Sequence, residues 1–387
     1  MSDAKKKPTI AVFGAAGHIG RLVVDELLRR GITPIAIARE ASGFAATGLE
    51  IPGLVRRIAR IEIPESIDWA IEGSDAVINC AGPFVDTVDA IATAAIRARI
   101  HYIDLSAETD TAKRILENYD KPARRMGMTA VPSMCFFGGL ADLLASATLG
   151  DWQVADSIEI FVALNRFKPT HGMRLTLART HDADRATADD GAIISSEEGA
   201  DSPLCFGEPV SGKVAIETAF SETALIRHRF KTRNLHSSLT LSCRDFPDVG
   251  GDDASGQRFA LDVEVRQGKQ VRHASLRGRD IYAVSAILAV AAAERLVQGR
   301  PGITGAFTPS ELFDAKDILQ EISHVNAYFS LPVIDQNVIY SKPDNDDPKS
   351  CFVPLEDWSF SDVEAVACET LSRGDPKTRE LNLFDVY

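Results

Sequence analysis

Three glycines at intervals of three residues, Gly14, Gly17 and Gly20, follow directly on the apolar run Thr9–Phe13. Glycine permits a tight turn, lets backbone N–H groups approach a phosphate, and lets a helix pack closely on a strand. A helix that starts at such a turn also directs its positive dipole end at the phosphate. The position between a strand and a helix therefore predicts a dinucleotide site formed by Gly14, Ala15, Ala16, Gly17, His18, Ile19 and Gly20.

Arg39 follows the second predicted strand, nineteen residues after Gly20. An acidic residue at this place binds the ribose 2′-hydroxyl of NAD, whereas a basic residue suits the extra phosphate of NADP. Ser42 adds a hydroxyl donor, and Glu40 would reverse the preference if the chain were shifted by one residue. The sequence favours NADP as cofactor and leaves NAD as the alternative.

A run of small residues comes after the fourth predicted strand, where a loop can lie against the ribose and nicotinamide. The predicted cofactor-binding residues of this run are Asn79, Cys80, Ala81, Gly82 and Pro83.

The fifth predicted strand carries side chains that can transfer a proton. Asp104 and Glu108 lie at its carboxyl end, where ligands bind in parallel sheets. The candidates for proton transfer are Asp104 and Tyr102, followed by His101 and by His171 from later in the chain. The histidines show no metal-ligand spacing, so no metal site is predicted.

The elements that position these residues alternate between short apolar strands and amphipathic helices up to residue 150, which predicts a Rossmann-type, doubly wound parallel sheet. After Gly150 the segments lengthen and alternate between apolar and polar residues, which is typical of antiparallel strands. We therefore predict an α/β protein with an inserted α+β domain built on a mostly antiparallel sheet. The predicted domains are residues 1–150 plus 278–325, the insertion 151–277, and an irregular C-terminal extension 326–387 with one helix at 361–372.

The net charge of −13 over 387 residues opposes nucleic-acid and anionic-membrane surfaces, which require clustered Lys and Arg. The six cysteines are scattered without a C-x-x-C pair, which indicates free thiols in a reducing compartment. The N-terminal stretch lacks the features of a signal peptide, and the longest apolar stretch, 281–293, is too short to span a bilayer. A cytoplasmic location is expected.

Four stretches together resemble the saccharopine dehydrogenase-like family of NAD(P)-dependent oxidoreductases. They are GAAGHIG, NCAGPF, AAIRARIHYIDLSAE and GRDIYAVSAILAVAAAERL. The resemblance covers about residues 8–320 and is densest over 8–135. It implies a split Rossmann domain with an inserted substrate or dimerisation domain. After the insertion, the helix at 281–298 returns to the Rossmann domain. It also implies cofactor roles for Gly14, Gly17, Gly20, Arg39, Ala81, Gly82 and Pro83.

The chain departs from that family's pattern at Met134–Phe137, where apolar residues replace an expected acid. This difference favours a substrate less polar than an amino-diacid, or no substrate at all. The chain also lacks the Tyr-x-x-x-Lys pair of short-chain dehydrogenases, since none of its six tyrosines has a lysine four positions later.

The leading hypothesis is an NAD(P)H-dependent oxidoreductase that moves hydride to or from a C=N or C=O carbon of a small metabolite. A non-catalytic NADP-binding regulator and an epimerase or cyclase with tightly bound NAD are the alternatives. A half-exposed antiparallel sheet further predicts a homodimer.

Overall fold

Two β-sheets organise the part of the chain that the computed structural model describes, namely residues 7–166, 169–176, 215–217, 220–241, 256–299, 302–325 and 333–335. The first sheet has seven parallel strands in the order β12-β6-β5-β4-β1-β2-β3. The second has six strands in the order β13-β11-β10-β7-β9-β8. This architecture confirms the predicted Rossmann-type sheet with a second sheet.

The first sheet is laid down by residues 9–131, in which strands and helices alternate. Its strands there are β1 Thr9–Phe13, β2 Thr33–Ala38, β3 Val55–Ile58, β4 Ala76–Asn79, β5 His101–Asp104 and β6 Thr129–Val131. The helices are α1 His18–Arg29, α2 Ser42–Ala46, α3 Pro64–Ile71, α4 Phe84–Ala98, α5 Thr109–Asn118 and α6 Asp120–Met126.

The sequence pattern predicts a third strand within residues 55–63 and a single helix over 108–126, and the structure differs at both. The single helix expected over 108–126 is divided into α5 and α6 at Tyr119, because Pro122 has no N–H to donate to the carbonyl of residue 118. The third strand ends at Ile58 rather than continuing to residue 63. Beyond it the hydroxyl of Ser66 accepts from Arg60 N and donates to Ile63 O, which closes a turn.

The second sheet follows a wide turn, Phe136–Leu140, in which Leu140 N donates to Cys135 O. Its elements are α7 Ala141–Leu149, β7 Val154–Leu164, the helical residues 171–176 (α8), β8 Ala215–Glu217, α9 Ser221–Arg229, β9 Lys231–Leu241, β10 Arg258–Gln267, β11 Gln270–Arg279 and β13 Val333–Asp335.

The second sheet is mixed rather than purely antiparallel. β10 pairs antiparallel with both β7 and β11, as the alternating pattern predicts, but β7 and β9 run parallel. A parallel pair requires a crossover connection, and α9 immediately precedes β9. The sequence pattern did not reveal α9.

The chain then returns to the first sheet through α10 Ile281–Val297, which packs against α1, β4 and β5. The carboxylate of Asp280 caps this helix by accepting from Tyr282 N and Ala283 N. The last elements are β12 Gly305–Ala306, which pairs with β6, and the helices α11 Pro309–Leu312 and α12 Ala315–Val325. The sequence pattern predicts one helix over 309–323. The structure interrupts it at residues 313–314, where the carboxylate of Asp314 caps the second helix by accepting from Asp317 N.

One apolar core joins the two sheets, from Ile10 and Val12 of β1 through α10 to Leu261 and Val263 of β10. We propose to retain the predicted division into residues 1–150 plus 278–325 and 151–277, since the chain leaves the first sheet after β6 and returns to it with α10. The predicted helix at 361–372 and almost all of the extension 326–387 lie outside the described residues. None of the described helices combines the length and apolar character needed to cross a bilayer.

Candidate cofactor and active site

The glycine turn lies at the carboxyl end of β1 and is tied to the neighbouring strand. Gly14 N and Ala15 N both donate to Ile37 O of β2, at 3.0 and 2.9 Å. Gly14 has a φ of +80°, and Gly17 N closes the turn by donating to Gly14 O at 2.9 Å. These backbone hydrogen bonds therefore fix the conformation of the turn at the carboxyl end of β1.

Two of the glycines are required by close approach. A Cβ atom on Gly20 would lie 2.1 Å from Gly14 O and 2.8 Å from Ala15 Cα, both backbone atoms that cannot move aside. A Cβ atom on Gly14 would lie 3.0 Å from Ala81 of the turn after β4, in addition to its left-handed φ. The glycines thus let α1 and the β4 turn close around the end of β1.

The amino end of α1 is open to a ligand. Its N-cap residue is Gly17, which has no side chain to cap the helix, and the first turn contains no acidic residue. His18 is exposed, and its ring meets the ring of Tyr282 edge to face at 5.1 Å between centroids. A glycine cradle beside an uncapped helix start fits the pyrophosphate of a dinucleotide.

The two residues that follow β2 differ in their side-chain contacts. Arg39 and Glu40 are both exposed. Glu40 Oε1 lies 3.5 Å from Nη2 of Arg60, which comes shortly after β3. The Arg39 side chain forms no hydrogen bond or ion pair with any other described residue. Its guanidinium is therefore available to an anion near the glycine turn.

Asn79 organises the turn after β4 from inside the protein. It is completely buried; its Oδ1 accepts from Ala81 N at 3.0 Å, and its Nδ2 donates to Thr87 Oγ1 at 3.1 Å. Thr87 Oγ1 in turn donates to Ala81 O at 2.7 Å. Asn79 thus shapes the backbone of residues 80–83, which lies against Gly14, and burial raises the pKa of the Cys80 thiol within that turn.

Asp104 joins the ends of two strands. Its Oδ1 accepts from Ser133 N at 2.8 Å and from Ser106 N at 3.0 Å, while its Oδ2 has no hydrogen-bond partner among the described residues. Burial raises the pKa of this carboxyl to about 6, although the two backbone N–H groups and the Tyr102 hydroxyl oppose that rise. The group consequently changes charge close to neutral pH.

Tyr102 and His101 lie in less suitable places. Tyr102 is completely buried, its hydroxyl is 3.5 Å from Asn79 Nδ2, and burial raises its pKa well above the usual value. His101 is the first residue of β5, at the sheet edge opposite the glycine turn, and its Nδ1 accepts from Thr129 N. Burial lowers the pKa of this imidazole. Of the three candidates on β5, only Asp104 lies at the strand's carboxyl end.

Residues 169–176 form a short roof segment over this edge. Tyr282 Oη accepts from Thr170 N at 3.1 Å and donates to Met173 Sδ at 3.6 Å. Thr176 Oγ1 donates to Glu108 Oε1 at 3.3 Å. The position of a Cβ atom on Gly82 would be 3.6 Å from Thr176 Oγ1, so the segment passes close to the β4 turn.

Glu108 connects this roof segment to two helices. Besides Thr176, its Oε1 accepts from Phe84 N, the first residue of α4, at 2.9 Å. Its Oε2 accepts from Thr111 Oγ1 in the first turn of α5 at 2.7 Å. His171 is exposed on the roof segment. The structure therefore brings Gly14–Gly20, the 79–83 turn, Asp104 and the roof segment together at the carboxyl ends of the parallel strands.

The apolar residues at Met134–Phe137 belong to the core. All four are buried, and the rings of Phe136 and Phe137 meet edge to face at 4.9 Å. Phe137 also stacks at a tilt on Phe220, with 4.4 Å between ring centroids. Their side chains fill the junction between the two sheets, so their apolar character is explained by packing and does not define substrate polarity.

Sequence reasoning missed Ser133, Ser221 and Tyr282. Ser133 has a φ of +56° and a buried hydroxyl with no partner among the described residues. Ser221 Oγ donates to Phe137 O at 2.8 Å. No local pattern marks these residues, because their partners lie 29, 84 and, for Tyr282 and Thr170, 112 positions away.

Residues 10–131 match the family model of the saccharopine dehydrogenase NADP binding domain. A probable mitochondrial saccharopine dehydrogenase-like oxidoreductase of Arabidopsis thaliana is 26% identical over 182 residues, which are 42% of this chain and 40% of that protein. A chloroplastic divinyl chlorophyllide a 8-vinyl-reductase of Oryza sativa subsp. indica is 54% identical over 43 residues, or 11% of each chain. The chain thus spans well under half of the curated relatives it matches.

The structure of apo saccharopine dehydrogenase (L-Glu forming) from Saccharomyces cerevisiae superposes with a TM-score of 0.57 and 10% sequence identity. The superposition covers 85% of this chain and 100% of that one. This likeness shows the fold. Together with the family model, it confirms the resemblance to saccharopine dehydrogenase-like oxidoreductases with an NADP-binding domain.

Proposed function

We propose that the chain is an NADP(H)-dependent oxidoreductase that transfers hydride to or from a C=N or C=O carbon of a small metabolite. The observation that carries the proposal is the meeting, at one sheet edge, of an uncapped glycine cradle, the exposed Arg39 and the titratable Asp104. When bound, the nicotinamide supplies or accepts the hydride.

Each group of residues at the carboxyl ends of the strands has its own role in this proposal. The N–H groups of residues 18–20, in the first turn of α1, are offered to the pyrophosphate, because those of Gly14, Ala15 and Gly17 already donate within the protein. Arg39 offers its guanidinium to the 2′-phosphate. The 79–83 turn, shaped by Asn79, lies against Gly14 and lines the inner part of the cofactor site.

Asp104 is the proposed proton-transfer residue. Its Oδ1 is held by two backbone donors, which leaves Oδ2 to exchange a proton. A carboxyl with a pKa of about 6 can both hold and release a proton near neutral pH. His171, exposed on the roof segment, is the second candidate, and Tyr102 and His101 are not carried into the proposal because of their placement.

The test is consumption of NADPH by purified protein with a panel of imines, oxo acids and enoyl compounds. We expect turnover with at least one imine or carbonyl compound, and a fall in kcat of about 10²-fold or more in Asp104→Asn. Turnover that Asp104→Asn leaves unchanged would remove Asp104 from the mechanism.

A non-catalytic NADP-binding protein is the second candidate. The complete burial of Asp104 and the dense packing of Met134–Phe137 favour it, because neither is open to a substrate. Tight NADPH binding without turnover on the whole panel would support it. An epimerase or cyclase with bound NAD predicts instead that nucleotide copurifies with the protein.

Two further expectations from the sequence remain proposals. A homodimer formed through the second sheet would appear as twice the chain's 41.9 kDa in solution scattering or sedimentation. A cytoplasmic location would appear in fractionation of the source cells.

A further inference from the structure

The carboxyl ends of β2 and β3 place three charged residues beside the proposed ribose site. Arg39 and Glu40 directly follow β2. Ala59 N donates to Ala38 O at 3.0 Å, which extends the pairing of the two strands and brings Arg60 level with the residues after β2. A residue that is twenty positions away in sequence thereby becomes a neighbour of the cofactor-selecting position.

The backbone of Arg60 is held in a turn, and its side chain is open to solvent. Its N–H donates to Ser66 Oγ at 3.0 Å within the turn that ends β3. Its side chain is 54% exposed, with Nη2 3.5 Å from Glu40 Oε1, and the Glu40 side chain is itself 68% exposed. An ion pair that is this open to water is weak, so the guanidinium can engage another anion at low cost.

A guanidinium can also bind two anions at the same time. It carries five N–H donors in a planar fork and can hold a carboxylate on one edge and a phosphate oxygen on another. Arg39 and Arg60 then provide two positive charges for a dianionic phosphate. Glu40 alone would repel this phosphate and accept hydrogen bonds from a free ribose hydroxyl.

We propose that Arg60 is a second cation for the cofactor's 2′-phosphate, and that its pairing with Glu40 prevents this carboxylate from selecting NADH. The inference rests on the proposed function, since it concerns the same NADP site. It resolves the conflict between Arg39 and Glu40 in the sequence, because the acid that favours NAD is neutralised by a residue from the adjacent strand.

The experiment measures dissociation constants of NADPH and NADH for the full chain by titration calorimetry, with 2′,5′-ADP and 5′-ADP as probes of the adenosine end. The variants are Arg60→Gln, Glu40→Gln and the double variant. Arg97→Gln is the control. Arg97 lies in the last turn of α4, near the amino ends of the strands, and forms an exposed ion pair with Asp68 of α3. Thermal unfolding of each variant verifies folding.

Arg60→Gln should weaken NADPH and 2′,5′-ADP binding about tenfold or more, because a charge-assisted contact is lost. NADH and 5′-ADP should bind as tightly as to the wild type or more tightly, because Glu40 is then free to accept from the ribose hydroxyl. Glu40→Gln should tighten NADPH binding slightly, and the double variant should remain weaker than the wild type because Arg60 contacts the phosphate directly. Arg97→Gln should change neither constant.

Wild-type protein that binds neither dinucleotide would refute the proposed function itself. If the wild type prefers NADPH but Arg60→Gln stays within twofold for both 2′-phosphorylated ligands, the inference is overturned while the proposed function stands. Full recovery in the double variant would show that Arg60 acts only on Glu40, which overturns the direct contact.

Discussion

Asp104 Oδ1, at the end of β5, accepts a hydrogen bond of 2.8 Å from the backbone N–H of Ser133, just beyond β6. The same oxygen accepts from Ser106 N, so one buried carboxylate oxygen fixes the backbone after two adjacent strands. Ser133 is held in a left-handed conformation, with a φ of +56°, at this contact. Asp104 therefore has a structural role besides its proposed chemical one, and experiments must separate the two.

Two substitutions of Asp104 should differ in stability. Asp104→Asn keeps a carbonyl oxygen for both backbone donors and should stay within about 1 kcal/mol of the wild type at pH 5. Asp104→Ala leaves both N–H groups buried without an acceptor and should lower the free energy of unfolding by about 2–4 kcal/mol. Urea unfolding measures both. Equal stabilities of the two variants would contradict the structural role.

The free energy of unfolding should rise as the pH falls from 8 to 5. Burial raises the pKa of Asp104 to about 6 in the folded protein, above the usual range of an aspartate. The folded state therefore binds the proton more tightly, and acidification from pH 8 to pH 5 stabilises it by about 1–1.5 kcal/mol through this one carboxyl. Asp142 and Glu222, whose buried carboxyls have pKa values raised to about 6 and about 7, act in the same direction, whereas the lowered pKa of the His101 imidazole opposes them in part.

Asp104→Asn isolates the share of Asp104 in that pH dependence. The variant should retain the contributions of Asp142 and Glu222 but show a smaller change in unfolding free energy between pH 8 and pH 5. Urea midpoints at three pH values are sufficient. Parallel curves for the wild type and the variant would show that Asp104 does not titrate in this range.

Arg39→Gln should weaken NADPH binding by about 10–100-fold and leave NADH binding within about threefold. The reason is that the exposed Arg39 guanidinium has no protein partner among the described residues and is free to pair with the 2′-phosphate. Fluorescence titration measures both constants, with Arg97→Gln as the control for loss of one positive charge. Equal losses for the two dinucleotides would place Arg39 away from the 2′ position.

Gly20→Ala should destabilise the glycine turn and abolish measurable NADPH binding. The new Cβ atom would lie 2.1 Å from Gly14 O, so α1 must move away from β1, at a cost of about 1–3 kcal/mol. Gly53→Ala is the control, since its Cβ atom would meet nothing within 4 Å, although its φ is +82°. Thermal unfolding and titration should show loss of NADPH binding only in Gly20→Ala.

Tyr282→Phe should loosen the roof segment without affecting the core. The variant keeps the ring that meets His18 but loses the hydroxyl that accepts from Thr170 N and donates to Met173 Sδ. Global stability should change by about 1 kcal/mol or less, whereas the amides of residues 169–176 should exchange their hydrogens about tenfold faster. Unchanged exchange at Thr170 would argue against this anchor.

The sequence predicts those parts of the fold and site that rest on local patterns. The glycine spacing located the turn after β1, and the alternation of apolar runs located the strands of the first sheet, because both signals lie within a few residues. Asp104 could be selected because its position at a strand's carboxyl end follows from the same pattern.

Contacts between distant segments could not be predicted. Glu40 pairs with Arg60, which the strand order brings alongside β2, and no local pattern shows this contact. The parallel pairing of β7 with β9 and the contact of Tyr282 with Thr170 likewise depend on tertiary packing. The sequence interpretation of Met134–Phe137 in terms of substrate polarity fails because an apolar sequence does not distinguish a pocket lining from a core.

The late return of the chain to its first sheet constrains the order of events during synthesis. Gly305 and Ala306 pair with Thr129 and Ala130, and Thr129 Oγ1 donates to Ile303 O. On the ribosome, where chains grow at about 5–20 residues per second, β6 remains an unpaired edge until β12 emerges. The nascent chain must therefore protect that edge from pairing with other chains while the entire second sheet is still being made.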